Sequence, residues 1–138
     1  MSEFVLDASL ALRWFLEDET NREYSLKILD SLGEKQAAVP LLWFYEISNG
    51  LLMAYRRKRI TVEQIDAFLT RLEALPIEVS AQRPREILEL AALARDQGLT
   101  VYDSAYLALA KQLSLPLATT DSDLRKAASV LGINLVEV

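Results

Sequence analysis

Phe4-Val5-Leu6-Asp7-Ala8-Ser9 decides how the rest of the chain is read. Three apolar residues in succession, without polar alternation, mark a strand buried on both faces. The run ends on an acid, and Ser9 can cap a short helix through Phe15. Working outward, Glu17-Asp18-Glu19 makes an acidic loop, and Thr20-Asn21-Arg22-Glu23 fits a capping box. That box opens a helix with Tyr24, Ile28, Leu29 and Leu32 on one face, ending at Gly33. Ala37-Ala38-Val39-Pro40 reads as a second short strand, followed by a helix from about Leu41 to Arg57.

The alternation continues to the C-terminus. Thr61-Val62-Glu63-Gln64 is a capping box for a helix to about Leu75, and Pro76 stops it. Ile77-Glu78-Val79 reads as a third strand. A helix from Pro84 to Gln97 ends at Gly98, and Thr100-Val101-Tyr102-Asp103 is a further capping box. Leu115 to Thr119 forms a strand, Asp121 or Asp123 caps a helix that ends at Gly132, and Ile133 to Val138 is expected to close the sheet as a last strand. Strands that are continuous apolar runs, alternating with helices, predict an α/β sandwich with a mostly parallel sheet. The length, 138 residues, suits one domain over 1–138.

Composition narrows the chemistry. The chain has no Cys and no His, which excludes Cys/His zinc sites and Ser-His or Cys-His nucleophile pairs. The net charge of −5 does not by itself suggest a nucleic-acid binder, so any such function needs a local basic patch or a bound cation. No apolar run reaches the roughly 18 residues of a membrane helix. The N-terminus lacks a basic region before its first acids, so a cytoplasmic protein without a signal peptide is expected.

In open α/β sheets, ligands bind beyond the carboxyl ends of the strands. Asp7 ends the first strand, and Asp121 follows the strand ending near Thr119. Asp103 and Glu46 sit early in their helices, so all four carboxylates can reach one edge. Clustered carboxylates repel, and a divalent cation reverses that cost. Mg²⁺ and Mn²⁺ favour all-oxygen sites and can activate water against a phosphodiester. Each acid also has a local reading. Asp103 fits the N3 position of a capping box, Asp121 and Asp123 are natural N-caps, and Asp7 can start a turn. Glu46 is the exception, because it interrupts the apolar stretch Leu42-Trp43-Phe44-Tyr45 and Ile47.

In order and local context the set resembles a PIN domain, and within that family the toxins of VapBC-type toxin–antitoxin pairs. Val5-Leu6-Asp7-Ala8-Ser9 is similar to the first motif, a hydrophobic strand with Asp-x-Ser/Thr. Glu46-Ile47-Ser48-Asn49 is similar to the second, Glu-x-x-Asn on a helix. Tyr102-Asp103-Ser104-Ala105-Tyr106 through Ala110 is similar to the third. Thr119-Thr120-Asp121-Ser122-Asp123 is similar to the fourth, Thr-x-Asp and a second acid.

The resemblance implies a three-layer α/β/α sandwich with a four- or five-stranded sheet. It implies metal-dependent endonucleolytic cleavage of RNA with one or two Mg²⁺ or Mn²⁺ ions, held by Asp7, Glu46, Asp103 and Asp121 with Asp123 as a secondary acid. Ser9, Asn49 and Thr119 would position water, metal or the acids; helix capping, solvation and strand packing account for them equally well. The implied partners are RNA, transfer or ribosomal, whose cleavage inhibits translation, a second copy of the chain, and an antitoxin covering the site. The apolar helices at Leu12–Leu16, Tyr24–Leu32 and Leu41–Leu52 can offer it a groove or simply form core.

Arg56-Arg57-Lys58-Arg59, the one dense basic run, reads either as helix-end charge or as a phosphate-binding edge. Arg13 and Trp14 can face substrate, Trp14 being equally a core residue. Two other readings compete: a PIN-like adaptor that binds without cleaving, and a phosphoryl-transfer domain. The latter expects further acids near the first motif and a late Lys on the active edge, whereas here Asp7 is followed by Ala8-Ser9 and the late strand ends in Thr119-Thr120-Asp121.

Overall fold

A computed structural model describes all residues except 17–19 and 21. The Glu17-Asp18-Glu19 loop, and the capping box through Asn21, lie outside the described residues. The elements run β1 (Phe4–Leu6), α1 (Ala8–Leu12), α2 (Arg22–Ser31), β2 (Ala37–Val39), α3 (Leu42–Arg56), α4 (Val62–Glu73), β3 (Ile77–Val79), α5 (Pro84–Gln97), α6 (Val101–Leu113), β4 (Leu117–Ala118) and α7 (Ser122–Leu131).

Four parallel strands pair in the order β3-β2-β1-β4. Val5 stands between Ala38 of β2 and Leu117 of β4, which fixes the register of the centre. From β1 the chain steps outward to β2 and β3, then returns past β1 to β4. Strand order therefore reverses between β1 and β4, and a cleft opens at the carboxyl edge of that pair.

The reversal also sorts the helices onto two faces. Helix α1 packs on α2 and α3, with Phe15 of the following turn against Phe68 of α4, ring centroids 4.6 Å apart. On the other face α6 packs on α5, α7, β1 and β4. This is the three-layer α/β/α sandwich that the family resemblance implies. Because α6 is enclosed by a sheet and two helices, it buries Ser104 to Leu107, Leu109 and Ala110. Helix α3 keeps a narrower seam of Trp43, Ile47, Leu51 and Ala54.

Caps explain most boundaries. Thr61 and Gln64 complete the expected capping box of α4. Thr100 accepts from the Asp103 amide, but the box is only half made, since the Asp103 carboxylate does not bond back to the Thr100 amide. Gly98 and Gly132 end α5 and α7 at φ +67° and +73°, where a Cβ would be strained.

Three expectations are corrected. Helix α1 is capped by Asp7 rather than Ser9, because the carboxylate two residues earlier already accepts from the Ser9 amide. That helix stops at Leu12, and Arg13 to Phe15 form a turn. The closing strand shrinks to a single bridge, Leu135 beside Leu117: β4 is only two residues long and offers little to pair with. Among the described residues no helix is long and apolar enough to cross a membrane.

Candidate active site

The carboxyl edge of β1 and β4 receives its acids from four elements. Asp7 follows β1 and is only 4% exposed. Burying a carboxylate is tolerated where donors surround it. Here the Ser9 hydroxyl donates to Oδ2 at 2.6 Å and the Thr119 hydroxyl donates to the same oxygen at 2.7 Å. Thr119 is fully buried and also accepts from the Asp121 amide at 3.0 Å. One hydroxyl thus ties the acid after β1 to the turn after β4. Asp121 caps α7, with Oδ1 accepting from the amides of Asp123 and Leu124 at 2.8 and 3.0 Å, and among the described residues Oδ2 has no hydrogen bond. The Arg125 Nε donates to the Thr119 carbonyl at 2.8 Å and closes the turn.

Glu46 lies in the second turn of α3, and Asp103 in the first turn of α6. Both helices begin at the carboxyl edge: α3 leaves β2, and α6 leads back toward β4. Both acids are half-buried. The Tyr106 hydroxyl, fully buried on α6, donates to Glu46 Oε1, leaving Oε2 free. Tyr106 was read from sequence only as part of the apolar face and motif. Its place three residues after Asp103, on the turn facing the same way, is the signal that could have marked it.

The acids act on one another's titration. Burial raises the Asp7 carboxyl above its ordinary range, opposed by the Ser9 and Thr119 bonds, and the Asp103 charge raises it further. Burial also raises Glu46, opposed by Tyr106, with the charges of Asp7 and Asp103 adding to the rise. Asp103 is raised by burial and then by the charges of Asp121 and Asp123, with Thr100 opposing. Asp103 is therefore the centre of the cluster, coupled to all four other acids. Tyr106 is pushed far up by burial and its bond to Glu46, so it stays a proton donor.

The expected supporting residues divide. Ser9 and Thr119 bond Asp7 directly. Asn49 is exposed on α3 with no hydrogen bond among the described residues, and Asp123 is exposed on the first turn of α7. Trp14 turns inward, 6% exposed, with its indole donating to the Ser25 carbonyl at 2.7 Å; it is core, not substrate-facing. Arg13 stays beside the site. Arg56 to Arg59 lie at the far end of α3, about 15 Å along its axis from Glu46 by the helical rise, and read as helix-end charge. The expected groove residues divide: Phe15, Leu16, Ile28, Leu32, Trp43, Ile47 and Leu51 are buried core, whereas Leu26, Leu41, Phe44, Tyr45 and Leu52 are exposed.

The donor set consists of carboxylates and hydroxyls, all hard oxygens, and burial first, with the neighbouring acids adding to it, raises the Asp7, Glu46 and Asp103 carboxyls. That chemistry fits Mg²⁺ or Mn²⁺. Among the described residues no three acids stand close enough together to enclose one ion. An ion held here would keep several of its waters, as Mg²⁺ commonly does.

The PIN domain family profile matches residues 4–130. The chain is 28% identical over 123 residues to Ribonuclease VapC3 of Pyrobaculum aerophilum, spanning 88% of this chain and 92% of that protein. Its fold is similar to the crystal structure of PAE2754 from Pyrobaculum aerophilum, with a TM-score of 0.71 and 23% identity over 91% of this chain and 84% of that one. It is also similar to a toxin–antitoxin complex from Klebsiella pneumoniae, with a TM-score of 0.66 and 19% identity over 99% of this chain and 100% of that one. FitAcB from Neisseria gonorrhoeae gives a TM-score of 0.65 and 21% identity over 97% and 96%. With its strand order, its acids across the β1–β4 cleft and a profile match along nearly its whole length, this chain belongs to the PIN domain family.

Proposed function

We propose that the chain, a single domain over 1–138, is a divalent-cation-dependent endoribonuclease, the toxin of a toxin–antitoxin pair acting in the cytoplasm. The observation that carries this reading is the coupling of Asp7, Glu46, Asp103 and Asp121 at one sheet edge, each with a raised pKa or a free carboxylate oxygen. The similarity to Ribonuclease VapC3 supports the choice of RNA, and the likeness to a toxin–antitoxin complex supports an antitoxin partner. A second copy of the chain is proposed as a further partner. Structured cellular RNA, transfer or ribosomal, is the proposed substrate, with inhibited translation as the result.

In this reading Asp7, Glu46, Asp103 and Asp121 hold one or two Mg²⁺ or Mn²⁺ ions, with Asp123 as an outer acid. A bound ion supplies an activated water and takes charge from the scissile phosphate. The chain's own part is positioning. Thr119 and Ser9 fix the Asp7 carboxylate, Tyr106 turns Glu46 so that Oε2 faces away from its bond, and the α7 cap directs Asp121.

The test is cleavage of total cellular RNA by wild type and Asp7→Asn, with Mg²⁺, Mn²⁺ or EDTA. Discrete fragments from wild type alone, and only with metal, support the reading. Folded wild-type protein that is inert with both metals overturns it in favour of an adaptor that binds without cleaving.

A further inference from the structure

Beside the acids lies a cleft of about 260 Å³ lined by Ser9, Leu12, Arg13, Leu16, Thr120 and Asp121. Two of these belong to the acid site: Ser9 bonds Asp7, and Asp121 is one of the four carboxylates. Arg13 is its cation. The guanidinium is held in place, with Nε donating to Thr120 Oγ1 at 3.2 Å and a terminal nitrogen donating to the Thr20 carbonyl. The Arg22 Nε pins the Arg13 carbonyl at 2.8 Å. Two guanidinium N–H groups are thereby used, and among the described residues the others have no partner and can bind a ligand. Although Asp121 lines the same cleft, Arg13 makes no ion pair among the described residues.

We infer that Arg13 binds a backbone phosphate of the RNA strand next to the one being cleaved; this rests on the nuclease reading above. An acidic chain with a carboxylate cluster repels an approaching polyanion, and the basic run on α3 is too distant to offset it. Arg13 is a fixed cation at the rim of the cluster. Its anchor Thr120 immediately precedes Asp121, so strand and acid are positioned by the same turn. A planar fork suits a phosphate better than an ammonium does, since it can bond two oxygens at once. The contact carries no base information, so it favours internal phosphodiesters of any sequence.

The experiment is the salt dependence of binding to a labelled mixed-sequence single-stranded RNA, measured by anisotropy with Ca²⁺ replacing Mg²⁺. Each neutralised phosphate on a single strand contributes about 0.7 to the slope of log K against log salt. Arg13→Gln should lower the slope by about 0.7, while Arg13→Lys keeps the slope and Arg57→Gln, at the distant end of α3, leaves it unchanged. In wild type, the Arg13 Nε–H resonance should also shift on adding RNA, a readout that needs no folded Gln variant. An unchanged slope in Arg13→Gln, an equal drop in Arg57→Gln, or an unmoved Nε–H resonance overturns the inference alone. Wild type that binds no RNA at any salt overturns the nuclease reading with it.

Discussion

Thr119→Val removes one hydroxyl and keeps the shape of a fully buried side chain. Two bonds disappear: the donor to Asp7 Oδ2 at 2.7 Å and the acceptor for the Asp121 amide at 3.0 Å. A hydrogen bond to a charged group is worth about 1.5–3 kcal/mol, and an abandoned amide adds about 1 kcal/mol. The expected loss is about 3 kcal/mol at neutral pH in EDTA, which lowers Tm by about 10 °C for a domain of this size. Thr119→Ser keeps both bonds and loses one buried methyl, about 1 kcal/mol. The pH dependence follows from burial, which holds the Asp7 carboxyl above its ordinary range in the folded protein. Its titration therefore favours folding in acid, and that contribution is lost as pH rises from the ordinary carboxylate value through the raised folded one. Removing the Thr119 donor raises the folded value further. The deficit of Thr119→Val should be largest at neutral pH and shrink in weak acid. Urea denaturation of the three proteins at both pH values reads this directly. A Val variant within about 0.5 kcal/mol of wild type at neutral pH refutes the claim that this hydroxyl sustains the buried acid.

Other outcomes follow from the same contacts. Tyr106→Phe keeps the buried ring and removes the bond to Glu46, so stability should fall by about 1 kcal/mol and kcat for RNA cleavage should drop with KM unchanged; an unaltered kcat would show that Glu46 needs no such support. Gly50→Ala places a Cβ 2.4 and 2.8 Å from the two Leu12 δ-carbons. Calorimetry should show a net loss of about 1 kcal/mol after the helix-propensity gain, and a more stable variant would show that α1 yields freely against α3. Asp7, Glu46 and Asp103 are all raised, so their ionisation costs folded stability as pH rises. The gain in Tm from added MgCl₂ over EDTA should therefore be larger at neutral pH than in weak acid, and an equal gain at both would mean that the ion does not relieve these charges.

The sequence made the framework legible where local signals were strong. Phe4-Val5-Leu6 and Ala37-Ala38-Val39 are strands because only a sheet covered on both faces buries such runs. The Thr61 box, Pro76, Gly98 and Gly132 mark boundaries through backbone chemistry that neighbouring elements do not override. The C-terminal segment was misread as a strand because Ile133 to Val138 has strand-like residues, whereas pairing depends on its neighbour, and β4 is two residues long. At α1 the competition between Asp7 and Ser9 for the cap was invisible, since both are good caps and only geometry selects the earlier one. The four acids were identifiable together with their order. What sequence could not show was their support, because Thr119 to Asp7 spans 112 residues and Tyr106 to Glu46 spans 60. Trp14 and Arg13 are adjacent in the chain but face opposite ways, a distinction that depends on the turn after α1.

Direct Mn²⁺ binding, followed by electron paramagnetic resonance, tests most sharply whether the acids act as one site. Wild type should bind Mn²⁺, and Asp7→Asn, Glu46→Gln, Asp103→Asn and Asp121→Asn should each weaken binding by about tenfold or more. Binding as tight in those four variants as in wild type, or none in folded wild type, would contradict a shared cation site at the β1–β4 cleft.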